Sequence, residues 1–229
     1  MKFRLPLRLW MYLLVKRMFD FMFSALASTV LLLPMAVIAA LIAWKDPGWP
    51  LFRHRRLGFH GAPIRVYKFR TMRKGAEQLD SSLSDSQRSE YYAEYKLRDD
   101  PRLIGYADPD NCLSCLGGRL RNTCLDELPQ ILFNILILGN MSVVGPRPIL
   151  EEELMRFYTP SEQKLLLSVK PGLTGYWQAY AHESAGYNNH RRQEMELYYV
   201  RNRSTLFDLK ILLKTVQTVL WKAGVQRGE

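Results

Sequence analysis

Phe21-Met-Phe-Ser-Ala-Leu-Ala-Ser-Thr-Val-Leu-Leu-Leu-Pro34-Met-Ala-Val-Ile-Ala-Ala-Leu-Ile-Ala-Trp44 is a run of 24 residues without a charge. As one helix it would be about 36 Å long, enough to cross a hydrocarbon core of about 30 Å. The plainest reading is a single transmembrane helix. A cleaved signal peptide fits less well, because the run is long and no small-x-small cleavage site ends it. Two features oppose a crossing. Lys2, Arg4, Arg8, Lys16 and Arg17 precede the run, and Lys45, Arg53, Arg55 and Arg56 follow it. Basic flanks favour the cytoplasmic side, and one crossing cannot put both flanks there. Pro34, near the middle, removes a backbone donor and crowds the preceding turn. The pattern predicts two short helices with a break at Pro34 that enter and leave the same leaflet, the hydroxyls of Ser28 or Thr29 helping with the freed carbonyls. A proline-kinked spanning helix is the alternative.

Outward from this run the charge is uneven. Residues 1–75 hold fourteen Lys/Arg against Asp20 and Asp46, while the other 154 residues are close to balanced, within an overall net charge of +10. Basicity at one end points to a polyanionic surface there, nucleic acid or an anionic membrane. A nucleic-acid role is set aside: aromatic and basic residues alternate in Arg65–Arg70, but no recognition motif is present and the apolar run would have no purpose. At the far end Leu206, Leu209, Leu213, Val216 and Leu220 recur at helical spacing among Lys210, Lys214 and Lys222, with Trp221 beside them. That is an amphipathic helix, for a membrane interface or for the face of a folded core.

Between these ends the chain has the composition of a folded domain, 48% hydrophobic and 24% charged, which excludes a disordered chain. Residues 45–63 read as a basic connection marked by Gly and Pro, and Ile64–Arg70 as a short strand with Lys68 and Arg70 on one face. Residues 73–98 read as a surface helix pair with Tyr91, Tyr92 and Tyr95 as packing residues, and 99–118 as loop. A helix should begin near Asp126 and continue to about Leu138. Thr159-Pro-Ser-Glu162 has the spacing of a capping box with Pro at the first helical position, for a helix to about Val169. These elements predict a helix-rich α+β fold: a basic N-terminal part with the membrane helix (1–50), a globular domain (51–203) and an amphipathic helix with its tail (204–229). Cys112, Cys115 and Cys124 are too few for a disulfide scaffold. Cys112-x-x-Cys115 is half of a zinc spacing that no second pair completes, so reduced thiols are expected.

The stretch Arg119-Leu-Arg-Asn-Thr-Cys-Leu-Asp-Glu-Leu-Pro-Gln130 carries the chemistry. Pro129 is tolerated only if a helix starts close to it, which puts Asp126 and Glu127 in or just before a first turn. There they either complement the helix dipole or converge on a metal or phosphate. Mg2+ is held by one or two carboxylates plus substrate phosphates, and Arg119 and Arg121 are nearby. In Gly145-Pro-Arg-Pro148 two prolines fix the backbone around Arg147, which suits a guanidinium for phosphate recognition; a rigid turn with a solvated arginine is the plainer reading. Lys68, Arg70 and Arg73 read as phosphate or lipid-headgroup contacts, or as solvated charges.

Six stretches in order resemble one family, the bacterial sugar transferases that are monotopic polyprenyl-phosphate phosphoglycosyl transferases. They are Lys16-Arg17-Met-Phe-Asp20, Lys68-Phe-Arg-Thr-Met72, Lys96-Leu-Arg-Asp-Asp-Pro-Arg102, Asp126-Glu-Leu-Pro-Gln130, Met141-Ser-Val-Val-Gly-Pro-Arg-Pro148 and Lys170-Pro-Gly-Leu-Thr-Gly-Tyr-Trp-Gln178. The resemblance covers about residues 15–222. It implies a monotopic protein on the cytoplasmic face of the bacterial inner membrane, re-entrant at Pro34, in the minimal form without a large N-terminal membrane domain. It implies that Asp126 attacks the sugar-bearing phosphate of a UDP-sugar to give a phosphosugar-enzyme ester and UMP. A polyprenyl phosphate, such as undecaprenyl phosphate, then takes the phosphosugar. Glu127 would hold Mg2+ with Asp126 or assist proton transfer, and Lys68, Arg70, Arg121 and Arg147 would bind phosphate. The Lys96–Arg102 stretch resembles members that handle simple hexoses, a pointer to UDP-galactose or UDP-glucose. Membrane lipid is an implied partner, and a homodimer is compatible. Three features depart from the family pattern: Asp126 to Arg147 is longer than expected, Asn140 stands where an acidic residue is usual, and Asn111–Cys115 looks inserted. The competing readings are a non-catalytic membrane-anchored scaffold using its basic third on anionic lipid, and an enzyme that transfers directly with Asp126 as a metal ligand only.

Overall fold

The computed structural model describes residues 7–76, 78, 83–94, 97, 100–106, 115–180 and 190–225. The apolar run lies within helix α1, Leu7–Lys45. Its buried positions, Tyr12, Asp20, Ser24, Ser28, Met35 and Ile42, form one stripe, while Leu26, Val30, Leu33, Val37 and Trp44 are exposed. The expected division at Pro34 is corrected: the helix is one element with Pro34 inside it. A proline removes a single intrahelical bond, and the apolar residues on either side continue the helical pattern. The hydroxyl of Thr29 donates to the Ala25 carbonyl at 3.0 Å, while that of Ser28 is buried without a hydrogen-bond partner.

The connection expected over 45–63 contains a strand. β1, Leu51–Leu57, pairs antiparallel with β2, Pro63–Phe69, with Phe52 opposite Lys68, His54 opposite Val66 and Arg56 opposite Ile64. The strand expected at Ile64–Arg70 is thus the second half of a hairpin. Of the helix pair expected over 73–98, one helix, α2 (Asp85–Glu94), lies among the described residues. Tyr95, and the side chain of Tyr92, lie outside them. Gly117 and Gly118, expected in a loop, sit in helix α3, Leu116–Asn122. A Cβ on Gly117 would stand 2.3 Å from the Thr71 carbonyl oxygen, so α3 packs directly on the chain leaving β2. Cys112 and most of the Asn111–Cys115 stretch lie outside the described residues, and Cys115 is a buried free thiol.

After a 3-10 turn at Leu125–Glu127 comes a π-helix, Ile131–Ile137, with Leu138 N–H donating to the Phe133 carbonyl at 2.9 Å. Wide turns take up more chain than α-turns, so a longer Asp126-to-Arg147 segment would be taken up here. Strand β3, Ser142–Val144, pairs in parallel with β4, Gly172–Thr174. Between them lie α4 (Glu151–Phe157) and α5 (Pro160–Leu166), the latter with the expected Thr159/Glu162 capping box. Then follow α6 (Tyr176–Tyr180), α7 (Arg191–Asn202) and α8 (Thr205–Val225).

Two cores result. The larger joins Ile64 and Val66 of β2 to Val143, Leu154, Tyr199, Val200 and Ile211, and the smaller joins Met35 and Ile42 of α1 to Phe69, Ile104 and Leu120. Helix α8 presents two apolar stripes. Ile211 is buried, with Phe207 and Leu212 packed on the larger core, while Leu206, Leu209, Leu213 and Val216 face outward. Helix α1 meets the domain at both ends. Tyr12 and Lys16 donate to Asp208 Oδ2 of α8 at 3.0 and 2.7 Å, and Asp20 Oδ1 accepts from Ser142 Oγ and Val143 N–H at 3.0 and 2.9 Å. Ile42 is fully enclosed in the smaller core.

Candidate active site

Helix α3 ends at Asn122, and Cys124 takes φ +56°, turning the chain sharply into the turn that carries the acidic pair. Asp126 is buried in that turn, and Glu127 is more exposed. Pro129 sits in the first turn of the helical run, as its missing N–H requires. Lys68, at the end of β2, reaches across. Its Nζ donates to Glu127 Oε1 and stands 4.0 Å from Asp126 Oδ2. Burial pushes the Asp126 carboxyl up to about 6; Lys68 and Arg121 pull it back, and Glu127 pushes it further up. Such an acid is mostly ionised at neutral pH yet poorly solvated, a useful state for an attacking carboxylate. Arg121 is oriented by its Nε–H, which donates to Thr71 Oγ1 at 2.9 Å.

The six residues singled out from the sequence divide in space. Asp126, Glu127, Lys68 and Arg121 come together. Arg70 turns away: its guanidinium binds the Asp46 carboxylate and donates to the Trp49 carbonyl at 3.0 Å, tying the end of β2 to the exit of α1. The common face expected for Lys68 and Arg70 therefore serves two different partners. Arg147 stands on the loop after β3. That loop is clamped backbone to backbone, with Gly145 N–H donating to the Thr174 carbonyl at 2.9 Å and Gly172 N–H to the Pro146 carbonyl at 2.8 Å. A Cβ on Gly145 would lie 2.6 Å from the Lys170 carbonyl oxygen, so these two motifs need their glycines to touch. The Arg147 N–H donates to both oxygens of Glu196 at 3.2 Å, and full burial pushes that carboxyl up to about 7.

Five residues that shape this region escape the sequence reading. Glu196 and Arg192 lie buried on α7, whose polar composition is that of a surface helix. His54 and Arg56 lie on β1, where a strand was not expected. Asn134 has a detectable signal, one amide inside an apolar run. It accepts from Tyr67 N–H at 2.9 Å and donates to the carbonyl of Arg65 at 2.8 Å, and to Asn140 Oδ1 at 3.1 Å. The π-helix is thereby pinned to β2, with Asn140 as the third partner.

Among the described residues no three His, Cys, Asp or Glu side chains converge, and at this site they offer a cation two carboxylates. Glu127 has one oxygen on Lys68 and, among the described residues, no protein partner on the other. That donor set suits Mg2+ completed by substrate oxygens, which needs few protein ligands. It does not suit a four-ligand zinc site.

An Asp–Glu pair under a lysine and an arginine, on an α+β domain joined to an exposed apolar helix, defines a membrane-associated protein equipped for anionic ligands. The family model for bacterial sugar transferases matches residues 11–222, and the chain belongs to that family. It is 35% identical to the UDP-galactose-lipid carrier transferase of Erwinia amylovora over 92% of this chain and 41% of that protein. It is 35% identical to the exopolysaccharide production protein ExoY of Sinorhizobium fredii over 91% of this chain and 87% of that protein. With the undecaprenyl-phosphate galactose phosphotransferase of Salmonella typhimurium it shares 34% identity over 92% of this chain and 41% of that protein. The chain thus spans about two fifths of the first and third of these relatives and most of the second.

Proposed function

We propose that this protein is a phosphoglycosyl transferase that moves a sugar-1-phosphate from a UDP-sugar to a polyprenyl phosphate at the cytoplasmic face of the bacterial inner membrane. The observation that carries this reading is the buried Asp126 with Lys68 Nζ 4.0 Å from its Oδ2, in a chain of this family. In the first step an Asp126 oxygen attacks the sugar-bearing phosphorus, the bond from that phosphorus to the bridging oxygen breaks, and UMP leaves. In the second step a phosphate oxygen of the polyprenol attacks the same phosphorus and the Asp126 carboxylate is released. Lys68, Arg121 and Arg147 offset the charge that develops on the phosphoryl oxygens. Asp126 and Glu127 would hold Mg2+, which supplies further neutralisation of the diphosphate. The names of the relatives favour a galactose donor and undecaprenyl phosphate.

The contacts of α1 support a monotopic placement. Tyr12, Asp20 and Ile42 all pack on the same domain, which favours both ends of the helix lying on the domain's side of the bilayer. The outward stripe of α8, Leu206 to Val216, gives that domain a second apolar contact with the interface.

Intact-mass spectrometry of nanodisc-held protein with Mg2+ and a panel of UDP-sugars, without polyprenol phosphate, tests the chemistry. The expected result is a hexose-phosphate adduct that accompanies UMP release, disappears in Asp126→Asn and fails to form with a chelator. Product only when the lipid acceptor is present would point to direct transfer instead. Neither adduct nor product with any donor would overturn the enzymatic reading and leave the scaffold.

A further inference from the structure

The face of the hairpin that carries Lys68 holds a ring nitrogen that the mechanism above does not use. With Phe52 opposite Lys68 and His54 opposite Val66, side chains 52, 54, 56, 64, 66 and 68 share one face of the hairpin. Ile64 and Val66 fill the core, Lys68 reaches the acidic pair, and His54 lies half-buried one diagonal step from Lys68, a separation of about 7–8 Å between Cβ positions. The Arg56 guanidinium places Nη2 3.2 Å from His54 Nδ1. A guanidinium only donates, so Nδ1 accepts, and the proton of the neutral ring sits on Nε2. Burial pushes the imidazole down to about 4, helped by the positive charges of Arg56, Lys68 and Arg147 and opposed by Glu153. Arg56 is itself held from below. Its Nη1 stands 3.7 Å from Glu153 Oε2, and the same oxygen stands 4.0 Å from Arg192 Nη2 and accepts from Leu150 N–H at 3.3 Å. The ring is therefore fixed in tautomer and orientation from the interior. Lys68, Arg56 and Arg147 stand around it, each already beside a carboxylate, Glu127, Glu153 and Glu196 in turn, so a phosphate oxygen arriving there gains from a further neutral N–H donor.

We propose that His54 contacts the donor: its Nε2–H donates a hydrogen bond to an oxygen of the sugar-phosphate held between Lys68 and Arg147. This rests on the transfer reading above. A neutral donor adds direction without adding charge to a site from which UMP must still depart, and it leaves the phosphate charge to Lys68, Arg121 and Arg147.

The test is 15N-histidine NMR of the nanodisc-held protein, with the His54 signals assigned by their loss in His54→Gln. Asp126→Asn protein is then titrated with the UDP-sugar that labels the wild type. Expected are a neutral Nε2–H tautomer throughout the neutral range and a displaced Nε2–H signal on donor binding. In labelling kinetics His54→Phe raises the donor KM tenfold or more, as loss of a hydrogen bond to a charged group implies. His54→Gln, which keeps a donor near the same place, restores most of it. A His54 that titrates in the ordinary histidine range, or that the donor leaves unmoved, or a His54→Phe protein with wild-type KM, would overturn the assignment. If the wild type is labelled while His54 is silent, only this assignment falls. If no UDP-sugar labels the wild type and none gives product with the lipid acceptor, the transfer reading falls and takes this one with it.

Discussion

Replacing Lys68 by Met should move the ionisation of Asp126, and with it the acid limb of adduct formation. Two unit charges at the 4.0 Å between Lys68 Nζ and Asp126 Oδ2 interact by about 4 kcal/mol at an effective dielectric of about 20. That corresponds to about three pH units of carboxylate titration. The side chain of Lys68 is 32% exposed and shared with Glu127, so solvent screening and the competing carboxylate reduce this to about one unit or slightly more. Loss of the ammonium also leaves Glu127 uncompensated, and that charge already pushes the Asp126 carboxyl up. Both effects act in one direction. In the wild type the limb should fall near pH 6, the value to which burial lifts Asp126. In Lys68→Met it should fall at about pH 7 or above, so that at pH 7 only about half or less of the enzyme carries the attacking form. Quench-flow measurement of UMP release at UDP-sugar well below saturation, without lipid acceptor, follows the free enzyme's limb, whose position weaker donor binding does not move. A Lys68→Met protein that is slower at every pH but keeps its limb near 6 would refute the reasoning and make Lys68 a phosphate contact only.

Asp126→Asn should stabilise the folded protein at neutral pH while it abolishes labelling. The folded carboxyl titrates near 6, above its unfolded value of about 3.9, so its favourable contribution is full below about pH 4 and is lost as pH rises through 6, a difference of about 1–3 kcal/mol. Thermal unfolding at pH 4 and 7.5 should show the gain only at the higher pH, and equal gains at both would contradict it. Asp208→Ala removes the acceptor that Tyr12, Lys16 and Tyr199 share at 3.0, 2.7 and 2.8 Å. It should cost about 3 kcal/mol and expose the start of α1 to protease, and an unchanged Tm with unchanged cleavage would count against the clamp. Gly145→Ala forces a Cβ to 2.6 Å from the Lys170 carbonyl oxygen and 2.7 Å from Gly172 N, backbone atoms that cannot rotate aside. A loss of about 1–3 kcal/mol together with a raised donor KM is expected, and wild-type values for both would show that the two motifs do not need this contact.

The parts of this architecture that depend on local chemistry were legible in the residues. The apolar run, the capping box at Thr159 and Glu162, and the helical start at Asp126 before Pro129 each follow from neighbours a few positions apart. What escaped depends on distant partners. Arg53-His54-Arg55-Arg56 reads as a basic linker because its strand character comes from pairing with Ile64–Tyr67, and β-propensity depends on such context. Arg192 and Glu196 read as the polar face of a surface helix. They are buried because they stand beside each other's charge, with the Arg147 N–H on the Glu196 carboxylate. Arg70 was read by its charge, and Asp46 decides where that charge goes. The break at Pro34 was an inference from one missing donor, and one missing bond does not end a helix of 39 residues.

The placement of the acidic pair relative to the membrane follows from the same distant contacts. From Tyr12 to Ile42 α1 rises about 45 Å, longer than a hydrocarbon core of about 30 Å, and the domain touches it at both of those residues and at Asp20 between them. Asp20 holds Ser142 and Val143, and Val143 lies four residues before Arg147. Ile42 packs with Phe69, the residue after Lys68. The strands that lead to Lys68 and to the loop of Arg147 are therefore fastened to different parts of α1. In the proposed placement an anchor joined by a flexible linker would let the site drift in depth, whereas this one would fix the height of Lys68, Arg147 and Asp126 above the lipid. A reaction whose first substrate comes from water and whose second stays at headgroup level needs such a fixed height.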